Sequence, residues 1–267
     1  MTTTKKLAVV IGGTKGIGLA TVVAFYKHVP EPYDTIFALS RSKSEAFEVF
    51  EDEILDDSQR TTTKVVWVKC DVTRPNEREA FLETLVDERG AGKIDAFVSN
   101  VGINVRKKMV DFDAFDFQHV LHTNVESGFH FVYEAKRRGL CARGSSVLFI
   151  SSVAGMLSIR TGSLNAMSKA ASHQLTKSLA CEWGHEGIRV NCIAPWYIDT
   201  PLAKQVLKNE KYKNAVVERT TLGRVGEPIE VAHVAVFLSS SRASYVTGQI
   251  ICVDGGFSCN GFCPPLS

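Results

Sequence analysis

A hydroxyl, an amide and an amine stand at fixed spacing in the second half of this sequence. Ser152 precedes Asn165 by thirteen residues and Lys169 follows it by four, which places Asn165 and Lys169 on one face of a shared helix. A serine hydroxyl and a carboxamide hold polar ligands by hydrogen bonds, and an ammonium group holds hydroxyl oxygens or anions. A carboxamide does not ionise near neutral pH, so Asn165 is expected to orient a ligand without giving it a proton.

A glycine-rich turn follows the first apolar run of the chain. Gly12, Gly16 and Gly18 come directly after residues 7–11 and open a helical pattern. The first glycine permits a tight turn, the second lets the backbone approach a pyrophosphate, and the third lets the helix pack closely. Free N–H groups at the start of such a helix bind phosphate. We therefore predict a dinucleotide site whose contacts in this turn are Gly12, Thr14, Lys15, Gly16, Ile17 and Gly18.

The end of the second apolar run indicates the form of the cofactor. A carboxylate is expected there, roughly 20 residues after the glycines, where the cofactor lacks the 2'-phosphate. The sequence instead has Ser40, Arg41 and Ser42. A guanidinium, two hydroxyls and the cationic Lys15 of the glycine turn suit a 2'-phosphate. We therefore expect NADP(H) rather than NAD(H).

Short apolar runs alternate with helical patterns along the chain. Most of the runs lack polar alternation, which is typical of parallel strands covered on both faces. Pro75 and Pro228 stand near the starts of two helical patterns. The strand candidates are residues 7–11, 35–39, 65–68, 96–98, 147–150, 188–193 and 250–253. This order predicts an α/β fold, a single domain over residues 1–267 with a doubly wound, Rossmann-type parallel sheet of seven strands.

Charge and cysteine content narrow the class of partner. The 31 basic and 29 acidic residues are scattered, so no tract predicts binding to nucleic acid or to an anionic membrane surface. The seven cysteines include no C-x-x-C pair, which favours a reducing compartment and predicts no metal site. The N-terminus is polar and the first apolar run is short, so we expect a cytoplasmic protein with a small-molecule substrate.

Several further motifs together give the chain a resemblance to the short-chain dehydrogenase/reductases. They match the family's pattern from end to end, and they are Cys70-Asp71-Val72, Ser99-Asn100-Val101-Gly102, Thr123-Asn124-Val125, Asn191 to Trp196, Thr200-Pro201 and Asp254-Gly255-Gly256. The runs Ser178 to Trp183 and Gly255 to Phe257 are similar to tropinone reductases, which reduce ketones on small, often alkaloid-like molecules.

The resemblance implies a role for each matching position. Ser152 would hold the substrate oxygen, Lys169 the nicotinamide ribose, and Asn124 a water in a proton relay. The further cofactor contacts that it implies are Asp71, Val72, Asn100, Val101, Gly102, Pro195, Ile198 and Thr200. In the family a tyrosine stands where this chain has Asn165, and its phenol protonates the substrate oxygen. General acid catalysis contributes about 10²- to 10⁴-fold, so a ketone reductase with Asn165 should be slow.

Three interpretations of Asn165 stay open. In the first, the substrate is an iminium cation, which needs no proton when hydride arrives. Fungal relatives that reduce an iminium and then shape a cycloaddition resemble this scaffold. Alternatively another acid replaces the phenol, with Tyr197 as the nearest candidate and His122 and His130 as weaker ones. In the third, the chain binds the cofactor without redox turnover, as a pseudoenzyme, a non-redox cyclase or isomerase, or an inactivated variant.

The leading hypothesis is an NADPH-dependent oxidoreductase that transfers hydride to a small carbonyl or iminium compound. Residues 200–221 correspond to the family's substrate lid, and their aliphatic side chains predict a helix that closes over an apolar ligand. The resemblance implies a homodimer or homotetramer built on helices that begin near Asp113 and Asn165. Phe112, Phe115 and Phe117 are predicted to be core or subunit-contact residues.

Overall fold

Seven parallel strands form one sheet in the part of the chain that the computed structural model describes, which is residues 6–27, 31–56, 62–87 and 93–261. The sheet order is β3-β2-β1-β4-β5-β6-β7. The strands are β1 (Leu7–Ile11), β2 (Thr35–Ser40), β3 (Lys64–Lys69), β4 (Ala96–Ser99), β5 (Ser146–Ile150), β6 (Arg189–Pro195) and β7 (Ile250–Val253). The predicted fold class is confirmed, and each predicted strand lies within two residues of an observed one.

Helices cover both faces of the sheet. They are α1 (Gly16–Tyr26), α2 (Glu45–Asp56), α3 (Pro75–Asp87), α4 (Ala114–Leu121), α5 (Ser127–Arg137), α6 (Ser163–Trp183), α7 (Pro201–Leu207), α8 (Glu210–Arg219) and α9 (Pro228–Ser239). Alternate residues of β1 enter two separate cores: Leu7 and Val9 pack with residues of α3, α5 and α6, and Ala8 and Val10 with residues of α1, α2 and α9. Both faces of each central strand are therefore buried, which explains the continuous apolar runs.

The order of the strands reverses between β1 and β4. β1 pairs with β2 on one side and with β4 on the other, in parallel register. The chain leaves β1 into the glycine turn and leaves β4 into Asn100, so both segments meet at the carboxyl edge of the sheet. Open α/β sheets bind ligands in the crevice at such a switch point.

A π-helical turn, His122–Glu126, separates α4 from α5. Its buried residues include Thr123 and Asn124, and the Ser127 hydroxyl donates to the Thr123 carbonyl at 2.7 Å. Such turns admit one extra residue and are frequent at functional sites. The interruption of the helix therefore falls at Asn124, one of the residues to which the resemblance assigns a role.

The outer face of α4 carries exposed aromatic side chains. Phe115 is 70% exposed and Phe117 is 46% exposed, so neither is a core residue, and a core position for them is wrong. Their prediction as subunit contacts stays a prediction. No helix among the described residues is both long enough and apolar enough to cross a membrane.

Candidate active site

Close backbone approach shapes the turn between β1 and α1. Gly12 and Gly16 have φ angles of 76° and 52°, in the left-handed region that glycine tolerates. A Cβ on Gly18 would lie only 2.0 Å from the Gly12 carbonyl oxygen, so no larger residue lets α1 pack here. Asn100 Nδ2 donates to that same oxygen at 3.0 Å. The turn is thus held from β4 and leaves the start of α1 open, as a pyrophosphate requires.

Two cations lie at this turn, and neither has an ion-pair partner among the described residues. Lys15 and Arg41 are both exposed. The Thr14 hydroxyl donates to the Ser42 carbonyl at 3.3 Å, which ties the glycine turn to the loop after β2. The glycine turn and this loop therefore offer the Lys15 ammonium and the Arg41 guanidinium to one region, which fits a phosphate group.

Ser40 is fixed by neighbours on both sides. Its hydroxyl donates to the Ser42 carbonyl at 2.8 Å and accepts from the Trp67 indole at 2.9 Å. The contact with Trp67 spans β2 and β3 and was not predicted from the sequence. The Ser40 hydroxyl therefore supports the shape of the loop as well as lining the crevice.

An ionised carboxylate lies at the end of β3. The Asp71 carboxylate accepts hydrogen bonds from the Thr73 hydroxyl at 2.7 Å and from the Thr73 amide at 3.1 Å. Burial raises the pKa of Asp71, but these hydrogen bonds and the charge of Arg41 outweigh it and hold the pKa below its usual value. Asp71 is therefore charged at neutral pH.

A single cavity of about 640 Å³ joins these segments along the carboxyl edge of the sheet. Gly18 packs behind the turn and Asn124 lies behind Ile103 and Asn165, so neither lines the cavity. The other predicted cofactor and catalytic residues all line it: Gly12, Thr14, Lys15, Gly16, Ile17, Ser40, Arg41, Ser42, Asp71, Val72, Asn100, Val101, Gly102, Ser152, Asn165, Lys169, Pro195, Ile198 and Thr200.

Ser152, Asn165 and Lys169 meet at the far end of this cavity from Arg41. Ser152 follows β5, and its hydroxyl donates to the Pro195 carbonyl of β6 at 3.4 Å. Lys169 Nζ donates to the Ile150 carbonyl at 3.3 Å. Asn165 precedes Lys169 by one turn of α6 and is buried. The structure thus brings the three predicted side chains together.

Asn124 fixes the amide of Asn165 from behind. Its Nδ2 donates to the Ile103 carbonyl at 2.9 Å, to the Ser168 hydroxyl at 2.9 Å and to Asn165 Oδ1 at 3.4 Å. Its Oδ1 accepts from the Ile103 amide at 2.8 Å. No hydrogen bond between described residues uses Asn165 Nδ2, so this N–H₂ group is free to donate to a ligand in the cavity.

Burial depresses the basicity of Lys169. Desolvation lowers the pKa of its ammonium to about 8, and Cys192 opposes the shift only weakly. The neighbouring groups are neutral: burial and Lys169 lower the pKa of His173 to about 4, and burial raises that of Cys192 to about 12. Among the residues that the structure describes, no carboxylate pairs with the Lys169 ammonium.

Aromatic side chains form the wall of the cavity that faces α7 and α8. The Tyr197 and Tyr212 hydroxyls lie 2.5 Å apart. Trp196 stacks on Phe257 with ring centroids 3.6 Å apart, and its indole donates to Thr220. Burial, followed by the hydrogen bond and charge of Tyr212, raises the pKa of Tyr197.

The two histidines differ in their relation to the site. His122 lines the cavity, and its Nδ1 lies 2.7 Å from the Glu126 carboxylate. His130 is exposed on α5 and does not line the cavity. Of the three candidates for a replacement acid, Tyr197 and His122 therefore reach the site.

Sequence reasoning missed Asn104, Arg106, His119 and Thr161, which also line the cavity. Asn104 and Arg106 lie on the loop after β4, where Ile103 is held by Asn124. The available signal was positional, because loops at the carboxyl ends of parallel strands carry binding residues. No motif selected these side chains from their neighbours.

Comparison with known proteins places the chain in a family. A family model described as enoyl-(acyl carrier protein) reductase matches residues 13–258. A tropinone reductase homolog from Arabidopsis thaliana, At2g29260, which is described as chloroplastic, is 43% identical over 96% of this chain and 77% of its own length. The chain belongs to the short-chain dehydrogenase/reductase family.

Its relatives include tropinone reductase homologs, and solved structures share its fold. The crystal structure of gox2181 has a TM-score of 0.85 and 29% identity, with 96% of this chain and 97% of that one covered. A gluconate 5-dehydrogenase from Burkholderia cenocepacia J2315, solved with NADP and tartrate, has a TM-score of 0.82 and 25% identity, with 95% of each chain covered. The chain is thus a tropinone reductase-like, NAD(P)-dependent oxidoreductase.

Replacing Lys169 by methionine tests the buried ammonium. Between pH 8 and 10.5 the folded protein loses the Lys169 proton while the unfolded chain keeps it, so the unfolded state binds more protons and stability rises with pH. The free energy of unfolding of the unmodified protein should therefore rise relative to Lys169→Met over this window. Urea titrations without cofactor measure it.

The same titrations contain their own control. Below about pH 8 Lys169 is protonated in both states, so the difference between the two proteins should stay constant there. A difference that is constant up to pH 10 contradicts a buried, depressed ammonium.

Proposed function

We propose that the protein uses NADPH to transfer hydride to a small carbonyl or iminium compound, and that an iminium is the better substrate. One observation carries the proposal: Ser152 and Lys169 line the same cavity as the glycine turn, while the third position holds an amide already bonded to Asn124. The groups that position a substrate and a ribose are retained, and the group that would donate a proton is not.

The proposed cofactor is NADPH because the cavity carries charge suited to an extra phosphate. Lys15 and Arg41 line the end of the cavity near β2, and the loop after β2 has no carboxylate in the usual ribose position. Gly18 has no Cβ, so α1 packs directly against the Gly12 carbonyl and the turn stays compact enough for a pyrophosphate. When bound, the nicotinamide supplies a hydride. The solved relative from Burkholderia cenocepacia binds NADP.

Three side chains position the reactants in this proposal. The Lys169 ammonium holds the ribose hydroxyls, and the Ser152 hydroxyl and the free Nδ2 of Asn165 donate hydrogen bonds to a polar atom of the substrate. An iminium carbon that receives hydride becomes part of a neutral amine, so the step needs no proton. The absence of an acid at Asn165 then slows iminium reduction little. Ketone reduction without a general acid would have a barrier about 3 to 5 kcal/mol higher.

Tyr197 is a poor substitute for the absent phenol. Its hydroxyl is engaged by Tyr212, and burial together with that contact raises its pKa, so it gives up a proton less readily than an ordinary tyrosine. Efficient general acids have pKa values near the working pH. These contacts favour the iminium over a ketone with a replacement acid.

The proposal includes a lid, an assembly and a compartment. Pro201, Leu202 and Ala203 of α7 line the cavity, so residues 200–221 would cover the substrate. Exposed aromatics on α4 and α5 support a homodimer or homotetramer. The six described cysteines are free, which supports the reducing cytoplasm as its location.

Replacing Arg41 by alanine tests the phosphate contact. Loss of a charge-assisted hydrogen bond of about 1.5 to 3 kcal/mol should raise the dissociation constant of NADPH about 10- to 100-fold. Binding of NADH, which has no 2'-phosphate, should change by less than about threefold. Fluorescence titration of both cofactors measures this. Equal weakening of the two would contradict phosphate recognition by Arg41.

Replacing Asn165 by tyrosine tests the missing acid. The unmodified protein should oxidise NADPH with cyclic iminium ions and only slowly with matched ketones. Asn165→Tyr should raise kcat/KM for the ketones by about 10²- to 10⁴-fold, because the phenol supplies a proton. Steady-state NADPH oxidation with both substrate classes measures the effect.

Asn165→Phe is the matched control, since it adds the ring without the hydroxyl and should give no gain with ketones. If neither substrate class is turned over until tyrosine is restored, the iminium proposal is wrong. The chain would then be a cofactor-binding protein or an inactivated variant.

A further inference from the structure

Arg106 is a cation in the substrate end of the cavity that the protein leaves almost unpaired. It lies on the loop after β4 and lines the cavity together with Tyr197 and Leu202. Its Nε is buried and has no hydrogen-bond partner, and its Nη1 makes one long contact of 3.4 Å to the Gln205 side chain. An arginine has five N–H donors, so most of its capacity is unused within the described residues.

The neighbouring basic residue behaves differently. Lys107 is paired with Asp116 at 2.5 Å, and that pair points its charge toward α4. Arg106 has no such carboxylate among the described residues. A partly buried charge without a partner is costly, and proteins normally pair it. The absence of an internal partner therefore indicates that a ligand supplies one.

The charged residues that line the second cavity beside Arg106 are all basic. A second cavity of about 520 Å³ shares Arg106 and Thr161 with the first and is also lined by Lys107, Lys108 and Arg160. Among the described residues that line either cavity, Asp71 is the only acidic one, and it lies at the end of β3 beside Arg41. The substrate end thus offers cations and no carboxylate. A substrate with only a positive charge would meet repulsion there.

We infer that the substrate carries a carboxylate and that Arg106 binds it. The inference rests on the proposed function and narrows its substrate class to a carbonyl or iminium compound that also bears an acid group. The planar guanidinium matches a carboxylate with two parallel hydrogen bonds. In an iminium carboxylate the two charges of the substrate balance, which removes the penalty of placing a cation near Arg106.

The lid provides a reason for the position of Arg106. Gln205 belongs to α7, and the Tyr197 phenol, whose pKa Arg106 acts to lower, belongs to the aromatic wall beside it. The guanidinium therefore lies between the loop after β4 and the segment proposed to close. A substrate whose carboxylate binds Arg106 would therefore have its acid group near α7, in the same cavity as Asn165 and Ser152.

The test measures binding rather than turnover. The probes are 4-oxocyclohexane-1-carboxylate and 4-oxopentanoate, each paired with its uncharged methyl ester. The full protein is saturated with NADP⁺, which cannot reduce a ketone, and dissociation constants are measured by calorimetry. Each acid should bind at least about 10-fold more tightly than its ester, as expected for a charge-assisted hydrogen bond.

Variants assign the preference to one side chain. Arg106→Gln should weaken the acids about 10- to 100-fold and leave the esters unchanged, and Arg106→Lys should keep part of the preference because it keeps the charge. Lys64→Gln removes one charge at the amino end of β3, away from the cavity, and should have no effect. Thermal unfolding checks that each variant is folded.

The outcomes separate this inference from the proposed function. Equal affinity for acids and esters, no binding of either acid, or an acid preference that survives in Arg106→Gln overturns the inference. A preference that depends on Arg106 supports it even if NADPH is never oxidised, in which case the proposed redox function alone fails.

Discussion

The buried side chain of Asn124 holds the site together. Its amide bonds to the backbone of Ile103 on both sides and reaches Asn165 and Ser168 on α6. A π-helical turn places it there. Through these contacts the loop after β4 and the start of α6 keep a fixed separation. The positions of Arg106 on that loop and of Asn165 on that helix both depend on it.

Charge divides the cavity into two functional ends. Lys15 and Arg41 lie near the loop after β2, Arg106 contacts Gln205 of α7, and Lys169 contacts Ile150 at the end of β5. Asp71 is the sole acid among the described lining residues. The first pair suits the phosphate of NADPH, and Arg106 suits an acid group on the substrate. Desolvation lowers the pKa of the Lys169 ammonium because burial removes water from the charge. Ligand hydroxyls that accept hydrogen bonds from this ammonium would replace that water and stabilise the charged form. The chain thus offers donors and cations to its ligands, and no proton from Asn165.

Local patterns made the fold predictable. The apolar runs, the spacing of Gly12, Gly16 and Gly18 and the sequence after β2 each act over a few residues, and the strands lie where they were predicted. Contacts that depend on long-range packing were not predictable. The indole of Trp67 on Ser40 and the amide of Asn124 on Asn165 join segments 27 and 41 residues apart. Arg106 is recognised only when its lack of a carboxylate partner is seen in three dimensions.

Transfer of deuterium from the cofactor tests the central claim most directly. The unmodified protein is given NADPH with deuterium at C4 of the nicotinamide and a cyclic iminium carboxylate, and the product is analysed by mass spectrometry and NMR. We predict one deuterium on the carbon of the former C=N bond from one of the two C4 epimers and none from the other. Cofactor oxidation that gives no deuterium in the product with either epimer, or no product at all, would contradict hydride transfer to an iminium.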